Sequence, residues 1–162
     1  MNNKNSYEIA IFKKFLSVCP YKINNATIRS LVPPNPDICV EMSDTQKLYF
    51  ELTECVVESI AKQTGESLKA LRTNKDLTHG HNAIAFKEGS LFNKRMEKFG
   101  KRYQADAPIE LLSYFSQQAE PLGEVLSRYR YFVEEHIGKG PFRRVWVYDV
   151  FPNKILYRVP KV

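Results

Sequence analysis

The sequence predicts an α/β fold, a central mixed β-sheet flanked by helices. Three observations predict it. Amphipathic stretches at helical spacing (7–18, 90–103 and 121–137) are interspersed with short strand-like runs (37–42, 48–53, 108–115, 142–150 and 154–159). Strands scattered among helices pack as one sheet with helices on its faces. The chain has 162 residues, 43% of them hydrophobic, enough for one core without disulfide or zinc staples. Residues 1–162 therefore read as a single domain.

The elements follow in order. In 7–18, Ile9, Phe12 and Leu16 form a helical stripe widened by Ile11 and Phe15, with Lys13 and Lys14 off it. Asn5 or Ser6 is placed to cap that helix, and Cys19-Pro20 ends it. Residues 21–36 hold Pro33, Pro34 and Pro36 and read as loop, with a short strand or turn near 28–32. Ile38, Val40 and Met42 alternate, as do Leu48, Phe50 and Leu52, around the polar turn 43–47. This is a β-hairpin. Residues 54–71 read as a helix opened by Glu54, and 72–90 as a loop. A helix over 90–103 buries Phe92, Met96, Phe99 and Tyr103. Strand 108–115, helix 121–137 stopped by Gly138 and Gly140, and strands 142–150 and 154–159 complete the order.

Composition narrows the function. Lys and Arg number 24 against 18 Asp and Glu, a net charge of +6 that suits a polyanionic partner such as nucleic acid. No apolar run is long enough to span a bilayer, and the start MNNKNSYEIAIFKKF lacks the pattern of a secretory signal. The expectation is a cytoplasmic protein with no membrane partner. Cys19, Cys39 and Cys55 show no CxxC spacing and read as small buried hydrophobes. His79 and His81 alone make a thin zinc case. There is no P-loop, no GxGxxG and no Gly-x-Ser-x-Gly.

The hairpin is the informative piece. Alternate strand residues face opposite ways, so Asp37 and Glu51 both point away from the apolar set. Pairing Met42 with Leu48, Val40 with Phe50 and Ile38 with Leu52 puts Asp37 opposite Thr53 and diagonal to Glu51. Two converging carboxylates suit a hard divalent cation, and Mg²⁺ commonly takes one or two carboxylates plus water and phosphate oxygens.

Pro36-Asp37, a short hairpin and Glu51-Leu52-Thr53, followed by a Lys-rich helix and a strand, resemble the PD-(D/E)xK nuclease superfamily. Its fold is restriction-endonuclease-like. The resemblance rests on the hairpin, and the later elements are compatible with it. It implies Asp37 and Glu51 as metal ligands, with the backbone carbonyl of Leu52 or Thr53 adding a third. The implied cofactor is Mg²⁺ or Mn²⁺, and the implied reaction is hydrolysis of nucleic-acid phosphodiester bonds, in DNA before RNA. Cutting both strands of a duplex requires two sites, which leaves room for a homodimer.

The chain departs from the pattern at Thr53, where the motif has Lys. In some members that Lys comes from a neighbouring helix, which makes Lys94, Lys98 and Lys101 candidates. Lys98 lies nearest the buried stripe and is preferred, while Lys94 and Lys101 sit further around toward solvent. Glu8 is a further acidic candidate, since several relatives carry a carboxylate on the first helix. Arg95, Arg102, Arg143 and Arg144 are candidate nucleic-acid contacts; the other reading is the wet face of an amphipathic helix for Arg95 and Arg102 and a strand end for Arg143 and Arg144. Thr53 also supports an alternative, a catalytically degenerate relative that binds nucleic acid or a protein partner.

Overall fold

The computed structural model describes residues 3–21, 23, 26–43, 46–55, 97–116 and 123–160. Helix α1 (Asn3–Val18) precedes a six-stranded sheet. The strands are β1 (Thr27–Ser30), β2 (Ile38–Ser43), β3 (Gln46–Glu54), β4 (Ile109–Phe115), β5 (Phe142–Asp149) and β6 (Lys154–Val159), and they lie side by side in chain order. β1, β2 and β3 form an antiparallel meander. β3, β4 and β5 run parallel, and β6 returns antiparallel on β5. The sheet is therefore mixed, as its order of elements predicts. Each parallel step needs a long crossover. The crossover from β4 to β5 carries helix α2 (Gly123–His136) and a 3₁₀ turn, Ile137–Lys139.

Strand alternation sorts the core into two layers. On one face Ile38, Val40, Leu48, Phe50, Leu52, Leu112, Tyr114, Trp146 and Tyr148 pack with Ile11, Phe12 and Phe15 of α1. The Phe15 ring lies 5.5 Å from that of Trp146 and 5.7 Å from that of Tyr148, both edge-on. Such contacts add to plain area burial and fix the helix at one place on the sheet. On the other face Cys39, Tyr49, Ile109, Leu111, Phe115, Phe142, Val145 and Val147 pack with Tyr129 and Val133 of α2 and with Phe99. Cys39 and Cys55 are buried, and Cys19 is half-buried. No helix among the described residues is long and apolar enough to cross a membrane.

The hairpin register differs from expectation by two residues. Ile38 lies opposite Phe50 and Val40 opposite Leu48, with a shift between Glu41 and Ser43 that takes up Met42. A slip of two keeps every side chain on its face, so apolar alternation does not distinguish the two registers. The bulge and the shorter connection, residues 44–45, set the observed one.

Other boundaries also move. α1 already includes Asn5 and Ser6, so neither caps it. Glu54 does not open a helix. It is the last residue of β3, opposite Tyr114, and accepts a hydrogen bond from Ser116 Oγ. The helix expected to reach residue 103 ends at Gly100. The rest of the expected helix over 54–71, the loop 72–90 with His79 and His81, and residues 91–96 with Lys94 and Arg95 lie outside the described residues.

Candidate functional site

Asp37 stands immediately before β2, after the buried Pro36. Continuing the register from the Ile38–Phe50 pair places it opposite Glu51. Its Oδ2 accepts the backbone N–H of Leu52 at 2.8 Å, which ties the start of β2 to the middle of β3. Among the described residues its other carboxylate oxygen accepts no hydrogen bond. Glu51 lies between β2 and β4, opposite Leu111, with only 1% of its surface exposed. Both acids belong to the face that α2 covers, away from α1.

The segment that closes over Glu51 is the helical turn 97–100 and the irregular chain after it. Phe99 seats that turn, with its ring 5.3 Å from Phe142 and 6.0 Å from Phe132. Gly140 makes room for it. A Cβ there would lie 2.6 Å from Phe99 Cδ1, too close to tolerate without movement. With Phe99 buried, its neighbour Lys98 is aimed at the acids. Lys98 Nζ donates to Glu51 Oε1 and lies 3.4 Å from the carbonyl oxygen of Leu52.

Lys101 joins it, which corrects the expectation of a solvent-facing side chain. Its Nζ is 3.7 Å from Glu51 Oε1 and 4.8 Å above the centre of the Tyr103 ring. The chain leaves the helix after Gly100, so helical angles no longer say where Lys101 points. Tyr103, read from sequence as one more buried aromatic, brings its hydroxyl into this neighbourhood. Only its direct geometry reveals this, since helical spacing carries no such signal.

The remaining candidates lie elsewhere. Thr53 is half-buried and pairs with Ser113, whose hydroxyl is 2.5 Å from that of Tyr129. Glu8 belongs to α1, on the opposite face, where its charge and that of Glu54 act on Tyr114. Arg102 is exposed. Arg143 and Arg144 both converge on Glu110, a carboxylate with no exposed surface. Arg143 Nε is 2.8 Å from Glu110 Oε1, Tyr21 donates to the same oxygen at 2.6 Å, and Trp146 Nε1 donates to Oε2 at 2.6 Å. Arg144 also donates to the Tyr21 hydroxyl and lies over the rings of Tyr21 and Trp146. Arg144 is thus committed to the fold, while Arg143 stays half exposed. A groove of about 630 Å³ opens at the other end of the hairpin, between Met42, Lys47, Leu48, Asp106 and Arg143, and Glu51 does not line it.

Burial pushes the Glu51 carboxyl above its ordinary value of 4.5, helped by the negative charge of Asp37 and opposed by Lys98 and Lys101. The consequence for stability has a definite sign. Above 4.5 the unfolded chain has lost a proton that the folded chain still holds, so this group's contribution declines as pH rises toward the folded value. Glu51→Gln removes the ionisable group but keeps the shape. Its melting temperature in metal-free buffer should exceed that of the wild type at pH 8, and the gap should close as pH falls to about 4, a window set by the ordinary carboxyl range. A gap that is constant with pH would contradict this.

The donor set is all oxygen: two carboxylates and the Leu52 carbonyl. No group of three or more His, Cys, Asp or Glu side chains suited to a metal ion occurs among the described residues. A Mg²⁺ site does not need one, because water and phosphate complete its shell. Glu51 Oε2 is buried with no hydrogen-bond partner among the described residues, so the carboxylate retains binding capacity beyond its lysine contacts. The residues present therefore fit a hard divalent cation. No protein-family model, curated protein or solved structure matches the chain.

Proposed function

We propose that the chain is a divalent-cation-dependent nuclease of restriction-endonuclease-like fold, acting on phosphodiester bonds of nucleic acid. One observation carries the reading: the Lys98 ammonium meets Glu51 Oε1 and the Leu52 carbonyl, and Asp37 accepts the N–H of that same Leu52 from the adjoining strand. The order of elements supports the fold. A helix, an antiparallel meander and a parallel strand reached by a crossover place the two acids on one face of adjoining strands.

Asp37, Glu51 and the Leu52 carbonyl would hold Mg²⁺ or Mn²⁺. When bound, the cation supplies charge to the scissile phosphate and lowers the pKa of a coordinated water. Lys98 replaces the motif lysine that Thr53 lacks. From a different element it places a positive charge and hydrogen-bond donors beside Glu51, where negative charge on the phosphate needs compensation. Lys101 adds a second charge at longer range. The net charge of +6 favours association with a polyanionic backbone.

Calorimetric titration with Mn²⁺ tests the site, followed by cleavage of labelled single- and double-stranded DNA and RNA. Wild type should give a single-site isotherm that disappears in both Asp37→Ala and Glu51→Ala, and cleavage should disappear with it. Thr53 at the motif position favours a second reading, a binding protein without catalysis. Retained nucleic-acid binding with no cleavage by wild type at any Mn²⁺ concentration would select it. Absence of Mn²⁺ uptake by the folded wild type would overturn the cation site itself.

A further inference from the structure

Glu51 Oε2 and the Tyr103 hydroxyl are both buried, and neither has a hydrogen-bond partner among the described residues. Buried polar groups are rarely left unpaired, because each one costs its full desolvation. These two are complementary: a phenol donates, and an ionised carboxylate only accepts. They are also neighbours. The Lys101 ammonium sits between them, 3.7 Å from Glu51 Oε1 and 4.8 Å from the centre of the Tyr103 ring.

We propose that Tyr103 is a positioning residue whose hydroxyl donates to one lone pair of Glu51 Oε2 and so sets the orientation of the carboxylate, leaving the second lone pair of that oxygen for the site. The assignment rests on the reading of Asp37 and Glu51 as cation ligands and deepens it. Oε1 already receives Lys98 and has Lys101 nearby, so a donor on Oε2 fixes the remaining rotation of the carboxylate. The ring is itself anchored, 5.8 Å from that of Phe142. Its face carries the Lys101 ammonium at 4.8 Å. One side chain thereby orders both the acid and the second lysine. Packing alone does not call for the hydroxyl, since phenylalanine would fill the same space.

The test uses Tyr103→Phe, which keeps the ring and removes the donor. Loss of a partner that orients a metal ligand typically weakens metal binding by about 10–100-fold. Mn²⁺ affinity, measured by calorimetry well below the melting temperature, should fall by about tenfold or more on that basis. A purely structural hydroxyl would lower the melting temperature and leave that affinity alone. An affinity within about twofold of wild type, against the tenfold expectation, overturns the assignment.

A second arm needs no metal. Tyr103→Phe should lower the melting temperature of the wild type but not that of Glu51→Ala, where the acceptor is gone. If Glu51→Ala does not fold, Glu51→Met fills the space without an acceptor. Equal effects of Tyr103→Phe in both backgrounds would overturn the contact. Should wild type take up no Mn²⁺, the cation reading fails, and this cycle alone decides whether Tyr103 holds Glu51.

Discussion

Lys98→Ala should reduce single-turnover cleavage by roughly 10²–10³-fold while leaving Mn²⁺ binding intact or tighter, a magnitude typical of removing one preorganised charge-stabilising donor. The two halves of that result follow from one position. Lys98 Nζ bonds Glu51 Oε1 and approaches the Leu52 carbonyl, two of the three oxygens that would hold the cation. Removing it takes away a competitor for those oxygens, so cation affinity does not fall. It also takes away the ammonium nearest the acids, and with it the compensation of charge on the reacting phosphate. Lys101, 3.7 Å from the same oxygen, retains part of the effect. The double variant with Lys101→Ala should therefore cleave more slowly than Lys98→Ala alone. Lys98→Arg is not a conservative control, because a planar guanidinium cannot occupy the space of a compact ammonium between Oε1 and a carbonyl. Unchanged cleavage by Lys98→Ala would reduce Lys98 to a counter-ion of a buried acid. Lost Mn²⁺ binding would mean that it holds the site together.

Much of this geometry was legible in the sequence, for a specific reason. Period-two alternation reports which face a strand residue occupies, so the convergence of Asp37 and Glu51 on one face is readable from Ile38, Val40, Leu48 and Phe50. It does not report register to better than two residues. The direct opposition of positions 37 and 51 depends on the bulge near Met42, which leaves no apolar signature. Lys98 is readable because it adjoins Phe99, whose burial fixes the orientation of the turn. Lys101 and Tyr103 are not, because helical spacing holds only to Gly100 and the irregular chain beyond it follows tertiary contacts. The second polar cluster is hidden for a related reason. Glu110 sits inside the apolar run 109–115 and is compatible with a strand there only because Tyr21, Trp146 and two arginines meet it from distant parts of the chain. A sequence window shows the charge but not the partners, so Arg143 and Arg144 read as free cations for nucleic acid.

That cluster makes the largest stability prediction. Glu110→Ala should cost about 3–5 kcal/mol, the range for breaking a buried ion pair by removing one partner. At about 2–4 °C per kcal/mol for a domain of this size, the melting temperature should fall by roughly 10 °C. The cost comes from what is stranded. Arg144 is only 13% exposed and loses its buried counter-charge, and Trp146 Nε1 loses its acceptor. Glu110→Gln keeps oxygen for one of these donors but removes the charge, so its loss should be smaller. Replacing Glu110 and Arg144 together by leucine and methionine should recover much of the loss, since well-packed apolar residues often match a buried ion pair in stability. The effect should also stop at the sheet. Glu110 pairs with Phe50 on the α1 face and Leu111 with Glu51 on the other, so the two acids are separated by the strand layer. Below its melting temperature, Glu110→Gln should therefore retain wild-type Mn²⁺ affinity. A melting temperature of Glu110→Ala close to that of wild type would show that solvent, rather than Glu110, compensates Arg144. A parallel loss of Mn²⁺ affinity in the folded Gln variant would show that the two polar clusters are coupled through the sheet.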